Sequence, residues 1–182
     1  MTSDSRDRLL HETLERWFGF SSLRPLQKEA IDAALDGRDA LVVLPTGGGK
    51  SLCYQLPPLV TDRLTVVVSP LIALMQDQVD GLRLNGVPAA AAHSNLDADG
   101  RRELRELSDS GALRLLFVAP ERLFREDFLE WLGAREVAAI AIDEAHCISQ
   151  WGHDFRPEYR RLAELRERFP GVPVHAYTAT AT

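Results

Sequence analysis

The strongest constraint on this chain is a set of short aliphatic runs that lack a polar residue at every second position. Asp39–Leu44 (DALVVL), Thr65–Ser69 (TVVVS), Arg114–Ala119 (RLLFVA), Val137–Asp143 (VAAIAID) and Val174–Tyr177 (VHAY) are runs of this kind, and Ala89–Ala92 is a weaker candidate. A strand that is apolar on both sides needs cover on both faces, which the strands of a parallel sheet receive from crossover helices. Helical stretches do fall between the runs, near residues 24–36, 50–60, 71–84, 97–110 and 157–169. Ser22 is the expected N-cap of the first, with Pro25 in its opening turn, where a missing N–H costs nothing. In the last, Arg160–Glu164 and Glu164–Arg168 stand at i,i+4 on one exposed face. The alternation predicts an α/β fold with a mostly parallel sheet and helices on both faces. The 182 residues suffice for one such domain.

Ligands of such sheets bind beyond the carboxyl ends of the strands, and the unusual residues here follow strands. After the first run comes Leu44-Pro45-Thr46-Gly47-Gly48-Gly49-Lys50-Ser51, then a helical stretch. Three consecutive glycines allow a tight loop whose N–H groups face an anion, and the next helix adds its N-terminal partial charge. Lys50 would reach the β- and γ-phosphates of a nucleotide, and the Ser51 hydroxyl would coordinate Mg²⁺. Leu44 stands where the GxxxxGK[ST] pattern has its first glycine. The alternative is a glycine-rich turn beside a surface lysine. The strand before the loop and the helix after it favour the phosphate reading.

The run Val137–Ile142 ends in Asp143-Glu144-Ala145-His146. Two carboxylates at the tip of a buried strand are costly unless a cation or a proton transfer employs them. Asp143 would hold Mg²⁺ through water, and Glu144 would act as general base on the attacking water. A zinc site from His146, Cys147 and His153 is the other reading, but its spacing matches zinc patterns poorly.

Composition bounds the classes. The formal net charge is −6 and the pI about 5.4, which argues against a protein that coats nucleic acid by bulk electrostatics. It leaves room for a local basic or aromatic contact. No apolar run approaches the ~18 residues of a membrane span. The opening MTSDSRDRLL has no apolar core and is not a signal peptide. Cys53 and Cys147 form neither a disulfide framework nor a CxxC pair. The expectation is a soluble, cytoplasmic domain without a membrane partner.

In motif order, and over nearly the whole chain, the sequence resembles the first RecA-like domain of the RecQ family of ATP-dependent DNA helicases, in superfamily 2. Phe18-Gly19-Phe20 with Leu23-Arg24-Pro25-Leu26-Gln27 resembles the family's adenine-reading motif 0, within residues 1–36. PTGGGKSLCYQLP (Pro45–Pro57) is similar to motif I, VVVSPLIALMQDQV (Val66–Val79) to motif Ia and APERL (Ala119–Leu123) to motif Ib. DEAHCISQWGHDFRPEY (Asp143–Tyr159) resembles the acidic box joined to the family's aromatic-rich loop, and Tyr177-Thr178-Ala179-Thr180-Ala181 resembles motif III.

The resemblance implies further roles. Gln27 would pair with the adenine edge of ATP, assisted by Arg24, with Phe20 packed on the base; a Gln–adenine pairing is one guanine does not reproduce. Trp151, Phe155 and Arg156 would meet single-stranded or partly duplex DNA, with His153 and Asp154 positioning the loop. Stacking on such rings is worth ~1–3 kcal/mol per base whatever the sequence. Residues at Ser69-Pro70 and Ala119-Pro120 would touch the DNA backbone, and Thr178 and Thr180 would relay nucleotide state. Residues 1–182 would form the ATP-binding half of an enzyme that unwinds DNA 3′–5′ in repair and recombination. The family's second RecA-like, zinc-binding and winged-helix regions do not appear. The chain alone is therefore expected to bind nucleotide without unwinding. Two alternatives stand beside this: an RNA helicase of the same superfamily, and a non-catalytic nucleotide- or partner-binding module.

Overall fold

All six candidate runs are strands of one sheet. They are β1 (Ala40–Val43), β2 (Leu64–Val68), β3 (Ala89–Ala92), β4 (Leu115–Val118), β5 (Val137–Ile142) and β6 (Val174–Thr178). The order is β1-β6-β5-β2-β4-β3, and the pairings are parallel. The structure, a computed structural model, describes residues 3–148 and 157–180.

Strand alternation explains the absence of polar positions. Val66, Val68, Leu116, Val118, Ile140 and Ile142 point into one apolar layer, while Val67, Leu115, Phe117 and Ala141 point into the other. Helices α2 (Gln27–Leu35), α3 (Lys50–Thr61) and α4 (Ile72–Leu84) close the second layer through Ala30, Cys53, Tyr54, Met75, Val79 and Leu82. The first is closed by α5 (Ala98–Asp109), α6 (Pro120–Leu123), α7 (Glu126–Gly133), α8 (Pro157–Arg160) and α9 (Leu165–Arg168). Burying each of these large aliphatic side chains stabilises the fold by ~1.5–3 kcal/mol. The edge strand β1 departs from the expectation of double cover: Leu41 is 69% exposed and Val43 is also exposed.

Several elements differ from the sequence reading. A helix at Ser3–Phe18 (α1) was not anticipated; it presents Leu10 and Leu14, one turn apart, to Ile31, Leu52 and Leu56. Helix α2 starts at Gln27, so Ser22 is not its N-cap and Pro25 lies ahead of its first turn. The side chain of Gln27 folds back to accept the Arg24 N–H at 2.7 Å, which holds residues 24–26 as a loop. The stretch 157–169 is not one helix: α8 and α9 flank a 3₁₀ turn at Arg161–Glu164. Buried Tyr159, Leu162 and Leu165 recur every third residue, the spacing that a three-residue turn keeps on one face. The same eclipsing pairs Glu164 with Arg161 at 2.9 Å, while Arg168 reaches Glu126 of α7. Those bonds replace the predicted i,i+4 ladder.

The topology positions the site. Because β6 lies between β1 and β5, its terminal Thr178 stands between the loop after β1 and the acidic residues after β5.

Candidate active site

The glycine-rich loop connects β1 to the N-terminus of α3. Leu44 donates its N–H to the Thr178 carbonyl at 3.0 Å, and its side chain is buried in the core beneath the loop. The departure from the glycine pattern at Leu44 is thus a packing position. Two of the glycines are sterically required. A Cβ on Gly48 would lie 2.8 Å from the Pro45 carbonyl oxygen. Gly49 has φ +80°, and a Cβ there would run into Gln27 Nε2. Lys50 and Ser51 open α3, so the loop, the helix N-terminus, an ammonium and a hydroxyl face one cleft of about 540 Å³. Phe20, Arg24, Gln27 and Thr46 line the same cleft, as do Asp143 and Glu144.

Phe20 is an exposed ring beside this cleft. Arg24 Nη1 donates to the Gly47 carbonyl at 2.5 Å, and Gln27 Nε2 donates to the Gly49 carbonyl at 3.0 Å. Gln27 is only 3% exposed. Its amide still has one N–H and one carbonyl lone pair beyond these two bonds, the number an adenine edge requires. The motif 0 segment therefore braces the phosphate loop through its backbone, an interaction the sequence reading did not include.

At the other side of β6, Asp143 extends the β5 ladder, its N–H donating to the Val68 carbonyl at 2.9 Å. Its carboxylate is 4% exposed and accepts from the Glu144 N–H at 3.0 Å and from Tyr54 Oη at 3.3 Å. Burial, with the neighbouring Glu144 charge adding to it, raises the Asp143 pKa. A cation is the group that would reverse that cost. The donors also suit Mg²⁺: one carboxylate and one hydroxyl, Asp143 and Ser51, with phosphate oxygens and water left to complete an oxygen shell. Among the described residues no group of three or more His, Cys, Asp or Glu side chains is placed to hold a metal ion by itself.

Glu144 has φ +50°, a left-handed conformation in a residue with a Cβ. Such strain persists only where surroundings impose it. Its carboxylate lies 3.9 Å from Lys50 Nζ and 3.3 Å from His146 Nδ1. His146 Nδ1 is also 3.3 Å from Thr178 Oγ1. Thr178 donates its hydroxyl proton to the Thr180 carbonyl at 2.8 Å and accepts from the Thr180 N–H. Its oxygen is therefore an acceptor toward His146, which assigns the imidazole proton to Nδ1.

Trp151, His153, Asp154, Phe155 and Arg156 lie outside the described residues. Ser69, Pro70, Ala119 and Pro120 are all buried, so the surface at those strand ends belongs to neighbours such as Leu71 and Glu121. In the zinc reading, Cys147 is packed in the core and His146 is committed to Glu144 and Thr178. Sequence reasoning missed Tyr54, Gln78 and Leu74. Tyr54 follows Ser51 by three residues and so shares its helix face, a signal that was available. Gln78 and Leu74 reach the cleft only through the packing of α4.

A sequence profile of the DEAD/DEAH box helicase family matches residues 24–182. The chain is 52% identical over 168 residues to the "ATP-dependent DNA helicase RecQ" of Haemophilus influenzae, covering 92% of this chain and 27% of that protein. It is 48% identical over 178 residues to the protein of the same name in Synechocystis sp., covering 94% and 37%. The chain thus spans well under half the length of these relatives. The crystal structure of the DUF1998 helicase MrfA matches all of this chain and 30% of that one, with a TM-score of 0.71 and 22% identity. A hypothetical ATP-dependent RNA helicase from Sulfolobus tokodaii matches 98% of this chain and 51% of that one, with a TM-score of 0.65 and 17% identity. These two likenesses concern the fold, which is that of the RecA-like helicase domains. Among the described residues no helix is long and apolar enough to cross a membrane.

Proposed function

Since the chain belongs to the DEAD/DEAH box helicase family, we propose that it is the ATP-binding half of a RecQ-like DNA helicase, acting 3′–5′ in DNA repair and recombination. The observation that carries this is one cleft containing both the glycine loop with Lys50 and the Asp143–Glu144 pair. In this reading the loop N–H groups and Lys50 compensate the triphosphate charge. The adenine is held by Phe20, Arg24 and Gln27, and Thr46 through Ser51 surround the phosphates. Ser51 and Asp143 would hold Mg²⁺, which when bound would neutralise phosphate charge.

Glu144 takes the proton of the attacking water on its carboxylate. His146 Nδ1–H keeps that carboxylate oriented, and its second contact, Thr178 Oγ1, links the base to Thr180. Lys50 Nζ lies 3.9 Å from Glu144 Oε1, so the ammonium that compensates the triphosphate also borders the base. Trp151, Phe155 and Arg156 would stack and pair with single-stranded DNA, with His153 shaping their loop. A second RecA-like domain would supply the further cation that hydrolysis needs, typically worth ~10³–10⁵ in rate.

The test is the ATPase rate of the full-length protein titrated with single-stranded DNA and, separately, with single-stranded RNA. Strong stimulation by DNA alone is expected. Stimulation by RNA alone would make the protein an RNA helicase, and nucleotide binding without turnover under either condition would make it a binding module.

A further inference from the structure

The proposed reaction has no use for Tyr54, yet its hydroxyl lies at the centre of the polar groups behind the metal position. Tyr54 is on the first turns of α3, is 2% exposed, and packs edge-on against Tyr177 and Phe117 at ring separations of 5.2 and 6.4 Å. Its Oη is 2.9 Å from Gln78 Oε1 and 3.3 Å from Asp143 Oδ2. Burial and the Asp143 charge both push the phenol pKa well up, so it remains an O–H donor. One proton therefore serves two acceptors. Asp143 that accepts from Tyr54 has one carboxylate oxygen held in place.

The shorter of the two bonds goes to α4, not to the acidic strand end. Gln78 Oε1 also accepts from Gln55 Nε2 at 3.2 Å, which fixes that carbonyl against α3. Gln78 itself borders the nucleotide cleft. From this geometry we propose that Tyr54 is a positioning residue that presents Asp143 to Mg²⁺, and that Gln78 competes with Asp143 for its proton. The inference rests on the proposed metal site. It adds that the seat of α4 sets how firmly that site is held, which makes α4 a lever on cation affinity.

The experiment measures binding of a fluorescent ATP analogue to the 182-residue chain, as a function of Mg²⁺ and again in excess chelator. Tyr54→Phe keeps the ring packing and removes the shared proton. It should raise the Mg²⁺ concentration for half-saturation by about 10-fold or more, the usual cost of losing an outer-shell partner. Metal-free affinity for the analogue should stay within about twofold, because no phosphate contact is touched. Gln78→Met should move the Mg²⁺ half-point downward, since Asp143 then receives the proton undivided. General damage to the fold would not shift two variants in opposite directions, and it would change metal-free affinity as well. Unchanged Mg²⁺ dependence in Tyr54→Phe, or a rise in both variants, would overturn the inference. Lys50→Ala separates the two levels: if it weakens binding while Tyr54→Phe leaves the Mg²⁺ dependence alone, only this inference fails. If the parent chain shows no Mg²⁺-dependent binding, the site reading fails and the inference fails with it.

Discussion

Gly49→Ala probes the brace between the phosphate loop and α2. Gly49 occupies φ +80°, where a residue with a Cβ is strained by ~1–2 kcal/mol. The added Cβ would also collide with Gln27 Nε2, so Gln27 must move and its 3.0 Å bond to the Gly49 carbonyl is lost. Losing that bond costs a further ~0.5–1.5 kcal/mol. The total is about 1.5–3.5 kcal/mol, equivalent to roughly a 10- to 300-fold change in an equilibrium constant. If the loop keeps its shape the cost falls on folding, read as ~2–4 °C of melting temperature per kcal/mol. If the loop yields, the cost falls on ATP affinity, because binding must rebuild it. The assay is therefore paired: thermal melting without ligand, and calorimetric titration with Mg·ATP, with the two losses added. Gly37→Ala is the control, since Gly37 has φ +67° but nothing within 4 Å of its Cβ position. It should lose only the strain component, and only in stability. Adding Gln27→Ala to Gly49→Ala should recover the steric part, giving a coupling between the two sites. If Gly49→Ala matched Gly37→Ala in both measurements, the brace would have no energetic content and the reasoning would be refuted.

Two other outcomes are expected. Gln27→Ala should narrow the preference for ATP over GTP in a competition titration, because one N–H and one lone pair of its amide are available to the base; an unchanged preference removes Gln27 from base reading. His175 is buried and donates from Nε2 to the Arg38 carbonyl at 2.8 Å, and burial holds its pKa below 6.5. The unfolded chain then binds the proton first as pH falls, so stability is full above pH 6.5 and declines below it, down to the folded-state pKa. His175→Gln should flatten that decline in melting curves taken from pH 7.5 downward, and an unaltered slope would assign the acid sensitivity elsewhere.

The sheet was legible because its strands advertise two-sided burial: Ala89–Ala92, the weakest candidate, is a strand with those bounds. The loop and the acidic pair were legible because their chemistry is local, contained in Pro45–Ser51 and Asp143–Glu144. Strand order was not, so the placement of Thr178 between them had to come from the fold. Helix α1 escaped notice because its charged residues mask a narrow stripe carrying Leu10 and Leu14. The segment after Pro157 escaped because a three-residue burial repeat and a helical one look alike over so short a span. Tyr54 was in view within the motif I likeness, but the partners of its hydroxyl, Gln78 and Asp143, are far away in sequence. Tertiary hydrogen bonding of that kind leaves no periodic trace.

The proposed nucleotide and metal roles rest on one cleft, built from the glycine loop and the acidic strand end. The most direct measurement is calorimetric titration of Mg·ATP into the parent chain, Lys50→Ala and Glu144→Gln. Lys50 lines the cleft and in the proposed reading compensates the phosphates, so Lys50→Ala should weaken binding by about 10-fold or more, in line with the loss of a charge-assisted contact. Glu144 is assigned to water rather than to phosphate, so Glu144→Gln should bind as well as the parent. It also removes a carboxylate 3.9 Å from Lys50 that competes for the ammonium. Equal affinity for the parent and Lys50→Ala, or loss of binding in Glu144→Gln alone, would contradict the assignment of the cleft.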